Sequence, residues 1–333
     1  MTQAVMKSET PASGRLFAGL ALADGSVWRI VAGHEQTSFL VSRLASIMRL
    51  GVEEDTSSPL EKGRVEPLLD DHVISLCLSF GDLRADESSR RKAFHVQACG
   101  GAVVSKSHRS EQNVPISFPG GSCRKEEVIT CILRPPENDT VVVILLMHLS
   151  MIIAQQSQAR GGVLIHGALL EKEGYGVILA GPGDAGKTTA CRRLPSDWHS
   201  LCDDTTLVVC DNQGRYWGHP WPTWSNFMLG GSDGSWDVQR AVQLKSVLFL
   251  EKAGEEQILS LGTAQAICLL TESAEQVSRL MSRGMEKDEA RLLRLQRFEN
   301  ICCLAQAVPS YILRLSRHSN FWQDVEEVLK RER

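Results

Sequence analysis

The first 135 residues alternate between short apolar stretches and turn-like polar clusters. Residues 26–31 alternate apolar and polar positions as a half-buried strand does, and residues 38–50 carry apolar side chains at helical spacing. Further strands are predicted at 72–78, 93–97 and 128–133. The pattern predicts a small α+β domain over residues 15–135, preceded by a frayed, flexible N-terminus at 1–14.

A second pattern begins after the break at Pro135-Pro136-Glu137-Asn138. The apolar run at 141–154 is interrupted only by His148 and Ser150. It is shorter than the about 20 residues that span a bilayer, so it predicts a buried helix. Strands are then predicted at 162–166, 176–180, 206–210, 215–219, 244–250 and 310–315. Helices are predicted at 186–194, from the capping pair Ser273 and Gln276 to about 300, and at 321–330. This series predicts an α/β domain over residues 138–333.

The strand at 176–180 leads into the clearest chemical motif of the chain. The sequence Gly181-Pro182-Gly183-Asp184-Ala185-Gly186-Lys187-Thr188 fits the pattern G-x-x-x-x-G-K-[ST]. Glycines let the backbone wrap around phosphates, so that N–H groups form an anion nest, and a helix N-terminus adds positive partial charge. We expect Lys187 to neutralise the phosphates of ATP and the Thr188 hydroxyl to hold Mg²⁺. The expected cofactor-binding residues are Gly181, Pro182, Gly183, Asp184, Ala185, Gly186, Lys187, Thr188 and Thr189.

The same loop also fits a dinucleotide fingerprint. Its glycines match G-x-G-x-x-G, and Asp203 or Asp204 lies near the distance expected for a ribose-binding acid. This alternative makes the chain a dinucleotide-dependent oxidoreductase. It leaves Lys187 and Thr188 unexplained, and it needs one acid where the sequence offers two.

Two adjacent carboxylates, Asp203 and Asp204, follow the predicted end of a strand at 199–202. One carboxylate near a phosphate site can deprotonate an acceptor hydroxyl, while the other helps to hold Mg²⁺. A solvated acidic turn is the alternative that spacing leaves open. His166 and Gly167, at the predicted end of the preceding strand, allow either a core histidine or a ring that orients a catalytic carboxylate.

The order of these features resembles the kinase domain of HPr kinase/phosphorylase, a family akin to phosphoenolpyruvate carboxykinase. That family has a histidine–glycine pair, a strand, the phosphate loop, a helix and an acidic pair, matched here by His166-Gly167, 176–180, 181–188 and Asp203-Asp204. The longer stretch from His166 through His219-Pro220-Trp221-Pro222-Thr223-Trp224-Ser225 resembles the kinase-like family of SynChlorMet cassettes, which implies a small ribosomal peptide as acceptor. The resemblance implies a P-loop kinase domain of the HPr kinase C-terminal type. It also implies Asp203 as general base, Asp204 as metal ligand and His166 as partner of the acidic site.

The segment after the acidic pair departs from that family. HPr kinases carry a further metal-site glutamate there, whereas residues 215–228 contain no Asp or Glu. They contain Trp217, His219, Trp221 and Trp224 instead. This departure points to altered metal coordination.

Tryptophans cluster in the same region. With Trp236 they allow either core packing or a rigid lip that grips a peptide. A glycine-rich segment at 230–235 is expected to close over the acceptor. Arg240 and Lys245 are candidates for stabilising phosphate charge or for solvated surface.

Composition limits the function classes. Hydrophobic residues make up 43% of the 333 residues and charged residues 23%, which is typical of globular proteins. The net charge of −4 argues against nucleic-acid or anionic-membrane partners. The ten cysteines have no zinc-finger spacing, and no signal-peptide pattern opens the chain, so a cytoplasmic location is expected.

The sequence therefore predicts an ATP- and Mg²⁺-dependent kinase that phosphorylates a hydroxyl on a small protein or precursor peptide. Lys187, Asp203 and His166 are its expected catalytic residues, and Thr188 and Asp204 its metal ligands. A non-catalytic nucleotide-binding module for assembly or regulation is the alternative. A homo-oligomer is compatible with either function.

Overall fold

The computed structural model describes residues 15–55, 72–80, 96–98, 102–108, 127–228, 234–279, 287–316 and 321–331. The chain forms a mixed α/β structure with two sheets. The predicted flexible N-terminus at 1–14 lies outside the described residues. So do residues 93–95 of the strand predicted at 93–97 and residues 230–233 of the glycine-rich segment at 230–235.

The first sheet contains the strands before Pro135, in the order β3-β1-β2-β4-β7-β6-β5. The central strands β2, β4 and β7 run parallel, and the other pairs are antiparallel. Helix α1, Ser38–Met48, packs on it through Leu40, Leu44 and Met48. The strands are β1 Arg15–Ala21, β2 Ser26–Ala32, β3 Val52–Asp55, β4 His72–Phe80, β5 Val96–Ala98, β6 Ala102–His108 and β7 Glu127–Leu133.

The second sheet has eight strands, and its pairings close a ring. The ring runs β8-β11-β12-β13-β9 and back to β8, with β10 paired to β8, and β15 and β14 extending beyond β13. Strand β9 runs parallel to β13, which runs parallel to β15. The strands are β8 Val163–Lys172, β9 Tyr175–Ala180, β10 His199–Cys202, β11 Thr205–Cys210, β12 Tyr216–Pro220, β13 Val242–Lys252, β14 Gln257–Ser260 and β15 Ser310–Leu315.

The apolar run at 141–154 forms most of α2, Asp139–Gln158, and the prediction of a buried helix is confirmed. By length and composition α2 could cross a membrane, but 78% of its apolar 18-residue window is buried inside the protein, as in a core helix. One apolar core extends from Trp28 and Leu44 through Ile152 to Leu164 and Trp221. The sheets change at the predicted boundary, 135–138, yet they share this core, and the division into two domains stays a prediction.

Five further helices lie around the second sheet. They are α3 Lys187–Cys191, α4 Ser225–Met228, α5 Thr263–Ser278, α6 Lys287–Ala307 and α7 Trp322–Arg331. The single helix predicted from Ser273 to about 300 is wrong, because α5 begins at Thr263 with Gly262 as its N-cap and α6 extends to Ala307. Ser273 lies within α5, and its hydroxyl donates to the His166 carbonyl oxygen instead of capping a helix.

His219, on β12, connects the two sheets. Its Nε2 accepts a hydrogen bond from the Ala23 backbone N–H at 3.1 Å, and its Nδ1 lies 2.7 Å from the Val238 carbonyl oxygen. The ring is 1% exposed. Only the neutral tautomer with hydrogen on Nδ1 satisfies both bonds. Burial lowers the pKa of His219, although the Val238 carbonyl and Asp24 oppose that shift.

We expect the free energy of unfolding to fall as the pH drops below about 6.5, the value of an unfolded histidine. The folded-state pKa of His219 is depressed, so the unfolded chain takes up the proton first and acid favours unfolding. Urea unfolding at pH 7.5 and 5.5 measures this loss. His219→Gln should be about 1–2 kcal/mol less stable at pH 7.5, because the buried hydrogen bonds of the imidazole are disturbed. Because glutamine does not titrate, the variant should lose less free energy of unfolding than the parent between pH 7.5 and 5.5. An equal acid-induced loss in both proteins would contradict the assignment.

Candidate functional site

The loop from Gly181 to Thr188 joins β9 to α3 in a conformation that its sequence permits. The φ angles are +154° at Gly181, +63° at Asp184 and +107° at Gly186. Glycine tolerates this region, and Asp is among the few other residues that enter it readily. A Cβ atom at Gly181 would lie 3.0 Å from the Ala185 Cβ, so a larger residue there would also crowd Ala185.

Several N–H groups of this loop have no acceptor among the residues that the structure describes. The Ala185 N–H donates to the Pro182 carbonyl oxygen at 3.2 Å. Within the described ranges, the N–H groups of Gly183, Asp184, Gly186, Lys187 and Thr188 donate to no other group. Successive unpaired N–H groups in a loop of this kind favour an anion. Helix α3 has five residues and is shorter than the predicted 186–194, so its dipole adds little to this effect.

The Lys187 side chain folds back under the loop. Its Nζ lies 2.8 Å from the Gly181 carbonyl oxygen, 3.2 Å from that of Pro182 and 2.8 Å from His166 Nε2. These three acceptors match the three donors of an ammonium group. The residue is 7% exposed. Burial lowers the pKa of Lys187, and the carboxylate of Asp204 opposes that shift most strongly.

His166 lies between Lys187 and the acidic pair. Its Nδ1 is 3.6 Å from Asp204 Oδ1, and its Nε2 faces Lys187 Nζ. Because the ammonium donates to Nε2, the neutral ring carries its hydrogen on Nδ1, directed towards Asp204. Burial lowers the pKa of His166, Asp204 opposes the shift and Lys187 adds to it. The ring is therefore neutral at pH 7.

The prediction that His166-Gly167 ends a strand is wrong, since β8 continues to Lys172. Beyond the glycine, β8 pairs with β9 on one side and with β10 on the other, and these pairings continue the strand. Side chains outside the sequence motifs hold this part of β8. Ser273 Oγ donates to the His166 carbonyl oxygen at 3.0 Å and Thr206 Oγ1 to that of Gly167 at 2.9 Å. Sequence spacing gave no signal for either contact.

Gly167 lies where strands β8 and β9 approach closely. A Cβ atom there would lie 2.7 Å from Ile178 Cγ2 and 3.0 Å from the Leu179 carbonyl oxygen. Any larger residue would push β8 away from β9. Because Gly167 pairs with Ala180 and follows His166, this close approach holds His166 beside the end of β9 from which the loop begins.

Asp203 and Asp204 form the turn between β10 and β11. The pairing of Thr205 with His166 brings this turn beside β8. Asp204 faces His166, and its Oδ2 lies 3.4 Å from Thr205 Oγ1. The carboxylate of Asp203 has no hydrogen bond or ion pair with any residue for which the structure gives a position. Both aspartates are partly exposed, and Thr188 and Thr189 are exposed at the start of α3.

The described side chains include no group of three or more His, Cys, Asp or Glu residues arranged to hold a metal ion. Mg²⁺ that accompanies a nucleotide needs fewer protein ligands, because phosphates and waters supply most of its coordination and one or two protein oxygens suffice. Thr188 and Asp204 provide hard oxygen donors of this kind. Residues 215–228 add no carboxylate.

The structure decides between alternatives that the sequence left open for Arg240, Lys245 and the clustered tryptophans. Arg240 pairs with Glu171 at 2.9 Å, and Lys245 lies over the Tyr175 ring, both near the end of β9 opposite the loop. Neither can therefore stabilise phosphate charge at the loop. Trp221, Trp224 and Trp236 are buried in the core and form no exposed lip. Trp217, which is partly exposed, donates to Asp211 and contacts Arg215.

The eight cysteines in the described part of the chain are free thiols. None of these eight forms a disulfide bond. Burial raises the pKa of Cys191, which follows the loop on α3, to about 11. This thiol is therefore protonated near neutral pH and does not act as a nucleophile there.

The fold and the site define a mixed α/β protein whose strand–loop–helix unit carries the G-x-x-x-x-G-K-[ST] sequence beside a histidine and two aspartates. Residues 129–330 match the family model described as SynChlorMet cassette protein ScmC. The match covers more than half of the chain, which therefore belongs to the ScmC family. A search of curated proteins gave no match.

Proposed function

We propose that this chain is an ATP-dependent kinase that phosphorylates a hydroxyl group on a small protein or ribosomal peptide, with a P-loop domain like that of HPr kinase. One observation carries the proposal. The loop with unpaired N–H groups lies in the same site as Lys187, His166 and Asp204, whose side chains form a continuous chain of contacts at 2.8 and 3.6 Å. Phosphoryl transfer needs this combination of an anion cradle, a cation and a carboxylate.

The loop residues would bind and orient the nucleotide. The free N–H groups of the loop would donate hydrogen bonds to phosphate oxygens, and the Lys187 ammonium would exchange carbonyl acceptors of the loop for phosphate. Thr188 and Asp204 would hold Mg²⁺, which would supply positive charge to the phosphates. His166 holds its Nδ1 hydrogen towards Asp204, so the metal-side carboxylate keeps its orientation.

Asp203 would take the proton of the acceptor hydroxyl. Its carboxylate has no partner among the described residues and is partly exposed, so an acceptor can reach it. A general base needs an available oxygen within hydrogen-bonding distance of the proton that it removes. Asp204, which already faces His166, is less suited to that role.

The topology supports a kinase over the dinucleotide-dependent oxidoreductase. The dinucleotide fingerprint works in a βαβ unit, in which the strand after the helix lies in the same sheet parallel to the strand before the loop. Here the strand after α3 is β10, which pairs antiparallel with β8. The parallel neighbour of β9 is β13, which comes much later in the chain.

A nucleotide-binding module without phosphoryl transfer is the second candidate. The absence of Asp and Glu from residues 215–228 favours it, because the metal site then has fewer carboxylates than in the HPr kinases that the chain resembles. Both candidates bind ATP, and they differ in whether the terminal phosphate is transferred.

Mass spectrometry of a precursor peptide from the same cassette tests the proposal. After incubation of the full chain with the peptide, Mg²⁺ and ATP, we expect a mass gain of one phosphate group on a serine or threonine residue. A non-hydrolysable ATP analogue is the control and should give no gain. Saturable ATP binding without any mass gain or ATP turnover would favour the non-catalytic module. Absence of ATP binding would overturn both.

A further inference from the structure

A hollow of about 220 Å³ lies at the end of β9 opposite the Gly181–Thr188 loop. Tyr175 and Lys245 line it from the sheet, and Leu329 and Lys330 line it from α7. Tyr175 and Ala180 are the two ends of β9, so roughly 17 Å of strand separates the hollow from the loop. The hollow is therefore a separate site from the one proposed to bind ATP.

One lysine of the hollow is already paired. Lys172 Nζ contacts Asp197 Oδ2 at 2.6 Å and Glu326 Oε1 at 2.5 Å. Burial on its own would lower the pKa of Lys172, but these hydrogen bonds raise it above its usual value. Glu326 also accepts a hydrogen bond from Trp198 Nε1 at 3.1 Å. The charged groups of this cluster are therefore paired with one another, and Lys172 and Glu326 line one side of the hollow.

The other two lysines have no ion-pair partner in the described structure. Lys245 Nζ lies 4.5 Å from the centre of the Tyr175 ring, and neither Lys245 nor Lys330 forms an ion pair with any residue that the structure places. Glu173 is the remaining acidic residue of the lining. The ammonium groups of Lys245 and Lys330, which have no ion-pair partner among the described residues, are therefore the groups that favour an anionic ligand.

The size and the apolar surface restrict the ligand further. A cavity of roughly 150 Å³ holds benzene, and pockets for drug-sized ligands begin at roughly 300 Å³. A hollow of about 220 Å³ thus fits one ring and one small polar group. The Tyr175 ring and Leu329 provide apolar contact, while Lys245 and Lys330 provide donors.

We propose that this hollow binds a small organic anion, a single carboxylate or phosphate group carried on a body the size of one aromatic ring. The anionic group pairs with Lys245 and Lys330, and the ring packs on Tyr175 and Leu329. Both kinds of anionic group fit this description, so phenyl phosphate and benzoate serve as the two probes.

Calorimetric titration of the full chain with each probe tests the proposal. We expect saturable binding of at least one probe, and the tighter probe identifies the anionic group. Lys245→Met and Lys330→Met keep the apolar stems and should each weaken binding about 10-fold, the effect of one lost charged hydrogen bond. Lys252→Met removes an exposed lysine at the other end of β13 and should leave affinity unchanged.

Two controls separate this site from others. Benzyl alcohol has the ring without the charge and should bind at least about 10-fold more weakly. Lys187→Ala should leave probe binding unchanged. Loss of binding in Lys187→Ala together with retention in Lys245→Met would place the anion at the loop and overturn the proposal. Equal affinity for benzyl alcohol, or no saturable binding by about 10 mM of either probe, would also overturn it.

Discussion

Replacing Lys187 with alanine is expected to weaken ATP binding by about 100-fold and to abolish phosphoryl transfer. A hydrogen bond to a charged group contributes about 1.5–3 kcal/mol, and losing two phosphate contacts gives at least that factor. The rate of phosphoryl transfer should fall further than the affinity for ATP, because the lysine also stabilises charge that develops on the phosphoryl group in the transition state. Equilibrium titration with a fluorescent ATP analogue measures binding, and the peptide assay measures transfer.

The position of Lys187 makes its controls essential. The side chain is 7% exposed and satisfies Gly181, Pro182 and His166, so its removal leaves three acceptors unpaired and also destabilises the fold. Unfolding by urea must therefore show that the variant is folded at the assay temperature. Lys252→Ala, at the exposed end of β13, is the matched lysine control and should bind ATP normally. ATP affinity within about 3-fold of the parent in a folded Lys187→Ala protein would refute the assignment of the loop.

The features encoded by neighbouring residues were predictable. Alternation identified β2, and β15 occupies the residues predicted for it, because burial of one or both faces imposes a repeating pattern on a strand. The phosphate-binding motif was also predictable, because its glycines, lysine and threonine lie within eight consecutive residues and can be recognised without a distant partner. The ScmC match supports the predicted resemblance to the SynChlorMet cassette family, while the relation to HPr kinase stays a prediction.

Features that depend on strand pairing were not predictable. His166, Lys187 and Asp204 meet because β8 pairs antiparallel with both β9 and β11, and nothing in the spacing of these residues specifies those neighbours. Arg240 and Lys245 follow the loop in sequence but lie near the opposite end of β9. The parallel pairing of β13 with β9 places the starts of both strands together, away from the loop. Position along the chain left the role of these two residues open for that reason.

Side-chain environment was the other limit. The clustering of Trp221, Trp224 and Trp236 indicated a common role without distinguishing a core from a lip, because an aromatic ring suits both. The structure buries all three. Ser273 was wrongly assigned to a helix start, since a serine three residues before a glutamine has the same sequence signature whether its hydroxyl caps a helix or reaches a neighbouring strand.

Replacing Asp203 with asparagine is expected to lower phosphoryl transfer by about 100- to 10,000-fold while leaving ATP affinity within about 3-fold of the parent. Asparagine keeps the shape of the side chain but cannot accept the proton of the acceptor hydroxyl. The fold should be unaffected, because the Asp203 carboxylate has no partner within the described structure. Single-turnover assays with excess enzyme separate this chemical step from nucleotide binding.

Asp204→Asn distinguishes the two aspartates in the same assay. If Asp204 holds Mg²⁺, its replacement should raise the Mg²⁺ concentration needed for half-maximal transfer, and excess Mg²⁺ should restore part of the rate. Excess Mg²⁺ should not rescue Asp203→Asn, whose defect lies in proton transfer. Asp288→Asn, an exposed change on α6, controls for loss of one negative charge and should transfer phosphate normally. Rescue of Asp203→Asn by Mg²⁺, with no rescue of Asp204→Asn, would exchange the two roles and refute Asp203 as the base.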